Sequence, residues 1–148
     1  MKMQFESAHF TDGQQEPIED LGGGLKRQIL GYNHELMAVK IWFDEGITAY
    51  THSHRHSQVT YVVEGEFHFM IDGVTKILKP GDSCYIPPHA EHGATSPTGG
   101  ILIDTYNYHI FLNSKTKNAI SSRPFFPKLA PKTNIFSEQI TKQTENKQ

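Results

Sequence analysis

One cysteine, one tryptophan and no apolar run of membrane-spanning length are the first constraints on this 148-residue chain. The lone Cys84 excludes an internal disulfide framework and suits a reducing compartment, so the cytoplasm is the expected location. No stretch approaches the roughly 20 apolar residues that cross a bilayer, and no membrane association is expected. The opening MKMQFESAHFTDGQQEP also lacks the apolar core of a secretory leader. A net charge of −2 gives no positive field that would draw nucleic acid as a partner. Glycine is missing from the end of the chain, with none beyond Gly100. Charge changes at the same place. Residues 1–106 carry seven Lys and Arg against fourteen Asp and Glu, whereas residues 107–148 carry seven against two. The closing FSEQITKQTENKQ has little apolar material to bury and reads as disordered. The expected organisation is an N-terminal arm (1–18), one globular domain (19–106) and a C-terminal segment of different composition (107–148), disordered towards its end.

What the body does contain is the punctuation of an all-β domain. LMAVKIWF, QVTYVV, FHFMI, VTKIL, SCYIP and GILIDTY are short β-branched and aromatic runs separated by DEG, EGE, DG, KPGD and PPHAEHG. Asp72-Gly73 is a tight-hairpin signal, because such turns need positive φ. Strands at this spacing predict a sandwich or small barrel. No helix longer than a turn or two is expected, with PIEDLG a candidate for one turn. Trp42, Tyr61 and Tyr85 are expected in the core.

The stretch GITAYTHSHRHSQVTYVVEG places His52, His54, His56 and Gln58 at alternate positions. In one extended strand all four would share a face. Imidazole suits divalent transition metals, and three in five residues outweigh the plainer reading of a solvated polar edge. The other histidines read as bland: His9 and His34 on loops, His68 in a strand, His89 beside two prolines.

Two motifs now support a resemblance. Gly46, five residues, His52, one, His54, three, Gln58, six, Gly65 is similar to the first cupin motif, with Gln where Glu is usual. Gly81, five residues and Pro87 open the second, whose His falls on His92; His89 stands for a usual Gly and Ser96 for a usual Asn. The resemblance implies a jelly-roll β-barrel holding one divalent transition metal (Ni, Zn, Mn, Fe or Co) through His52, His54, Gln58 and His92. It also moves His56 onto a turn between strands. Gln58 has a second reading, as an internal hydrogen-bonding residue beside a three-His metal. An amide ligand, being neutral, would leave a divalent site at +2 and make it a stronger Lewis acid than a carboxylate ligand would.

Asp104 lies among apolar residues in ILIDTY, and strand parity groups it with Leu102 and Tyr106. An inward carboxylate is costly unless paired or used, and burial tunes it towards general-base work. The alternative is an Asp capping a strand end. Arg27 and Lys40 are cations within strand-like runs; either could hold a substrate carboxylate, although each taken alone is expected to face outward.

EDLGGGLKRQILGYNHELMAVKIWF, HSHRHSQVTYVVEGEF, PPHAEHGA and GILIDTY resemble, more narrowly, the KdgF-type cupins of pectin degradation, over roughly residues 19–106. That resemblance implies conversion of cyclic 4,5-unsaturated monouronates from pectin or alginate to linear keto acids. It implies Asp104 as catalytic residue, Tyr106 against the substrate, a small anionic sugar acid as partner, and a homodimer. Where the family runs into a Ser-Pro turn and an Arg, this chain reads NYHIFLNSKTKNAISS, with Ile110 near the place of the Arg. A non-catalytic sugar-acid-binding cupin and an oxygen-using cupin dioxygenase are the competing expectations.

Overall fold

The computed structural model describes residues 6–107. Within them the chain forms ten strands and no helix: β1 (Glu19–Gly22), β2 (Leu25–Tyr32), β3 (Leu36–Phe43), β4 (Ile47–His52), β5 (Gln58–Gly65), β6 (Phe67–Ile71), β7 (Val74–Leu78), β8 (Ser83–Ile86), β9 (His92–Ser96) and β10 (Gly100–Asn107). They make two antiparallel sheets, ordered β1-β2-β3-β10-β5-β8 and β4-β9-β6-β7. Consecutive strands repeatedly fall in different sheets, as in a jelly roll, and the expected all-β cupin fold is the one observed.

Alternation sets the core. Met37, Val39 and Phe43 of β3, Val62 of β5, Phe67 and Phe69 of β6 and Leu102 of β10 point inward and are buried. Phe43 and Phe67 meet edge to face, with centroids 5.1 Å apart, a favoured aromatic geometry. The β5–β6 turn needs Gly65, at φ +81°, where an added Cβ would fall 2.1 Å from the Gly99 carbonyl oxygen. At Asp72-Gly73, both residues take positive φ, as the hairpin signal requires.

Three expectations are corrected. PIEDLG does not form a helical turn: Glu19–Gly22 is extended as β1, because its backbone pairs with β2. Tyr61 and Tyr85 are not core; they stand outward at 45% and 59% exposure. The same parity that buries Thr60 and Val62, and Ile86 next to Tyr85, sends those rings to the other face. The bend expected over PPHAEHG ends sooner: His92 and Gly93 open the buried strand β9 (HGATS), paired on both sides by β4 and β6. Its small side chains gave no apolar period to recognise.

The N-terminal arm, over its described part, is tied to β2. Ser7 exchanges hydrogen bonds with Tyr32, and the buried Gln28 amide donates to the carbonyls of Gly13 and Glu16 at 2.8 and 3.0 Å. The expected C-terminal boundary and the character of the final segment lie outside the described residues.

Candidate metal centre

Register brings the histidines together. His52 ends β4 and His92 opens β9, and the two are direct cross-strand partners. Alternation alone would not do this. Ala49 pairs with Ala94, and His52 with His92, so β4 carries an extra residue opposite Gly93. That bulge returns His52 to the face of Ala49 although the two are three residues apart. Gly93 permits it: a Cβ there would sit 3.1 Å from the Ala49 oxygen and 3.2 Å from the Thr51 nitrogen. His54 lies in the β4–β5 connection and Gln58 starts β5. One strand carrying all four alternate residues is therefore not what forms. The connection separates the two strands, and His56 sits on it, outside the three residues whose ligand atoms converge, although its ring lies 5.7 Å from that of His54.

The ring centroids of His52 and His54 lie 4.3 and 4.8 Å from that of His92, and one ligand atom from each of the three falls within 4.8 Å of the others. Each Nδ1 has a backbone carbonyl to donate to: Tyr50 for His52 at 2.9 Å, His56 for His54 at 3.0 Å and Ala90 for His92 at 2.9 Å. With Nδ1 so occupied in each ring, Nε2 is the atom left to face a metal, the arrangement by which metal-binding imidazoles are oriented. The Nε2 of His92 is buried and has no hydrogen-bond partner. Burial pushes the His92 imidazolium down to about 4, and the like charges of His52 and His54 add to the effect, against the Ala90 bond and the charge of Asp72. A neutral His92 is what a metal needs.

Gln58 completes one side. Its Oε1 lies 2.9 Å from His54 Nε2. A proton on Nε2 bridges this contact as a hydrogen bond to the amide oxygen, and a cation shared by the two atoms would take that proton's place. The residues thus fit a divalent metal: three imidazole nitrogens, with an amide oxygen beside them.

The register of β5 and β10 sets Gln58 opposite Tyr106 and Thr60 opposite Asp104. Gln58 donates through Nε2 to Thr60 Oγ1 at 3.0 Å, and Thr60 donates to Asp104 Oδ1 at 2.5 Å. Asp104 is therefore an inward residue, not a strand-end cap. Its residue surface is only partly covered, yet protein surrounds the carboxyl on most sides. That burial pushes it up to about 6, against the hydrogen bonds of Thr60 and Gln58 and the charge of His54. Tyr106 stands on the same face, its ring 6.5 Å from His54 and 6.4 Å from His56, stacked on the latter.

The two expected cations are placed differently from each other. Lys40 is on the outer face of β3, because Val39 is the residue opposite Asp104; its ammonium lies 4.7 Å from the Trp42 ring centroid. Arg27 faces inward rather than outward, opposite Ile41, but its guanidinium is held by Glu19 through Nη2 at 2.6 Å and Nε at 2.8 Å. Arg27 and Glu19 are themselves a cross-strand pair, which explains the contact. Thr60 is the site residue that sequence reading missed. Its signal was present: it is the polar residue at an inward position between Gln58 and Val62. Ile110 lies outside the described residues.

Against known proteins, residues 43–117 match the cupin domain model. The pectin degradation protein KdgF of Dickeya dadantii (strain 3937) is 38% identical over 101 residues, 67% of this chain and 91% of that protein. Among solved structures, an RmlC-like cupin from Shewanella frigidimarina NCIMB 400 superposes with a TM-score of 0.69 at 67% identity, over 70% of this chain and 93% of the other. KdgF from Halomonas sp. superposes with a TM-score of 0.66 at 31% identity, over 70% and 96%. With its jelly roll, its three-histidine cluster and these relatives, the chain belongs to the cupin family, among the KdgF-type proteins of pectin degradation.

Proposed function

We propose that this protein is a metal-dependent enzyme that opens cyclic 4,5-unsaturated monouronates into linear 5-keto-4-deoxyuronates. The observation that carries the reading is the placement of Asp104, a carboxyl raised to about 6, on the same inner face as Gln58 and Tyr106 beside the three-histidine cluster. The KdgF relatives supply the substrate class.

His52, His54 and His92 hold the metal, with Gln58 as fourth ligand. A divalent ion so held supplies an electrophile for the negative charge that develops on the substrate's oxygens. Asp104, ionised above about pH 6, accepts the proton of the anomeric hydroxyl. The anomeric carbon becomes a carbonyl, its bond to the ring oxygen breaks, and that electron pair forms an enolate. Protonation at C4 then gives the ketone, so one proton leaves the substrate and one returns. Tyr106 flanks the substrate. Arg27 is bound to Glu19 and Lys40 faces the other way, so neither is assigned to the substrate carboxylate.

The test is loss of the alkene absorbance when metal-loaded protein meets each monouronate, pectin-derived or alginate-derived. A decay that requires both metal and Asp104 is expected; iron-loaded protein that consumes oxygen would instead favour dioxygenase chemistry. Ile110, near the place of the family's Arg, favours one alternative, a sugar-acid-binding cupin. That reading predicts saturable uronate binding with the absorbance unchanged. A homodimer in the cytoplasm remains part of the proposal. The outward Val59, Tyr61, Val63 and Tyr85 support a protein-covered face, which sedimentation would test.

A further inference from the structure

Thr60 is fully buried, on β5, between the residue proposed to bind the metal and the residue proposed to take the proton. A hydroxyl has one proton to give and lone pairs to receive with. The bond to Asp104 Oδ1, at 2.5 Å, is in the range of a hydroxyl donating to a charged carboxylate. Cys84, opposite Thr60 across the β5–β8 pair, has its thiol pushed up to about 11 by burial and by the Asp104 charge, against hydrogen bonds from Thr60, so it keeps its own proton. The short bond to Asp104 takes the Thr60 proton and leaves lone pairs on Oγ1 for Gln58. An amide meeting a lone pair must present its NH2. Gln58 does so at 3.0 Å, with the Asp104 carboxyl as a further acceptor, and its oxygen is then turned towards His54 Nε2. A flipped amide would set oxygen against oxygen at Thr60 and direct an NH2, which cannot coordinate, at the cluster.

We propose that Thr60 is a positioning residue that sets the Gln58 amide so that its oxygen, and not its nitrogen, faces the three imidazoles. The inference rests on the reading of Gln58 as a metal ligand. It also accounts for a neutral ligand at this position: a carboxylate offers oxygen at both atoms and needs no such partner, whereas an amide does.

The test uses cobalt(II), followed by visible absorption and by competition for affinity, on the full chain. Gln58→Ala is expected to change the spectrum. If it does not, Gln58 is not a ligand and the inference falls with that reading. Given the change, Thr60→Val should move the spectrum the same way and weaken binding roughly 10-fold or more, the usual scale for residues that orient metal ligands. Thr60→Ser should restore both. A Thr60→Val protein with the wild-type spectrum and affinity would overturn the inference and leave the ligand reading standing. If Thr60→Val does not fold, Thr60→Ala is read by the same criteria. On a Gln58→Glu background there is no amide to orient, so Thr60→Val should leave affinity unchanged. An equal loss there would show that Thr60 acts by packing alone, and would overturn the proposal.

Discussion

The backbone N–H of His89 donates to the carbonyl of His54 at 2.7 Å, tying the loop before β9 to the loop that carries a histidine of the candidate metal site. His89 makes this bond from φ +66°, a left-handed conformation, where the cupin motif usually has glycine. A side chain there costs roughly 1–2 kcal/mol, although His is among the residues that visit the region more readily. Glycine relieves the strain but adds roughly 0.4–1 kcal/mol of unfolded-state entropy. His89→Gly is therefore expected to stabilise the protein by about 0.5–1 kcal/mol, raising the thermal midpoint by about 2–5 °C. Metal content should be unchanged. A fall in the midpoint would show that the imidazole of His89 has a stabilising contact of its own.

Metal content should follow the histidines. Purified protein is expected to carry about one divalent ion per chain, lost to chelators as the pH falls and protons compete for the imidazoles. His52→Ala and His92→Ala should each abolish retention on dialysis, measured by elemental analysis. Full retention in both variants would remove the site.

In the metal-free protein, His92 and Asp104 pull stability in opposite directions. His92 is lowered from 6.5 to about 4, so between those values the unfolded chain binds a proton that the folded one does not, and stability falls with falling pH. Asp104 is raised from 3.8 to about 6, so over much of the same window the folded chain binds the extra proton, and stability rises with falling pH. Asp104→Asn removes the second effect. Its denaturant midpoint should drop relative to wild type as pH goes from 6 to 4, at most by the equivalent of about 1.4 kcal/mol per pH unit. Parallel curves for the two proteins would mean that Asp104 titrates at its ordinary value.

Much of this was legible because β-structure writes itself at period two. LMAVKIWF, FHFMI and VTKIL are strands at their quoted boundaries, since each is a β-branched or aromatic run closed by turn residues. HGATS was not, because its place between two neighbours is set by the sheet and not by its own small side chains. At the site, two motifs named the histidines, yet parity along one strand was the wrong geometry. The bulge in β4 and the turn at 53–57 decide where His52 and His54 point, and a bulge depends on close approach at Gly93, a residue 41 positions further on. Alternation set Asp104 and Tyr106 on one face, and the resemblance supplied the roles expected of them. The Arg27–Glu19 pair was not, because it depends on the register of β1 with β2.

Gln58→Glu separates charge from coordination. A carboxylate keeps an oxygen towards the cluster and adds a negative charge, so metal affinity should hold or rise. Turnover of unsaturated uronate should slow, because the added charge weakens Lewis acidity and repels an anionic substrate. Equal or faster turnover would remove the argument from charge.

Asp104→Asn keeps the shape and a hydrogen-bonding group at β10 while removing the base. Metal content should be preserved, and turnover should fall by a factor on the order of 10²–10⁴. A base must be deprotonated to work, so wild-type activity should be lost as pH falls through about 6, or lower still in loaded enzyme, where the nearby cation favours the carboxylate. The variant should lack that acid limb. The wild-type rate is itself expected to be slow, because Ile110 offers no charge to orient the substrate. Exchanging residues 107–112 for a Ser-Pro-x-Arg type of ending tests this. A rate gain that Asp104→Asn abolishes would identify an impaired ring-opening enzyme. No alkene loss in either form, with uronate still bound, would make the protein a binding cupin in which Asp104 holds its ligand and removes no proton.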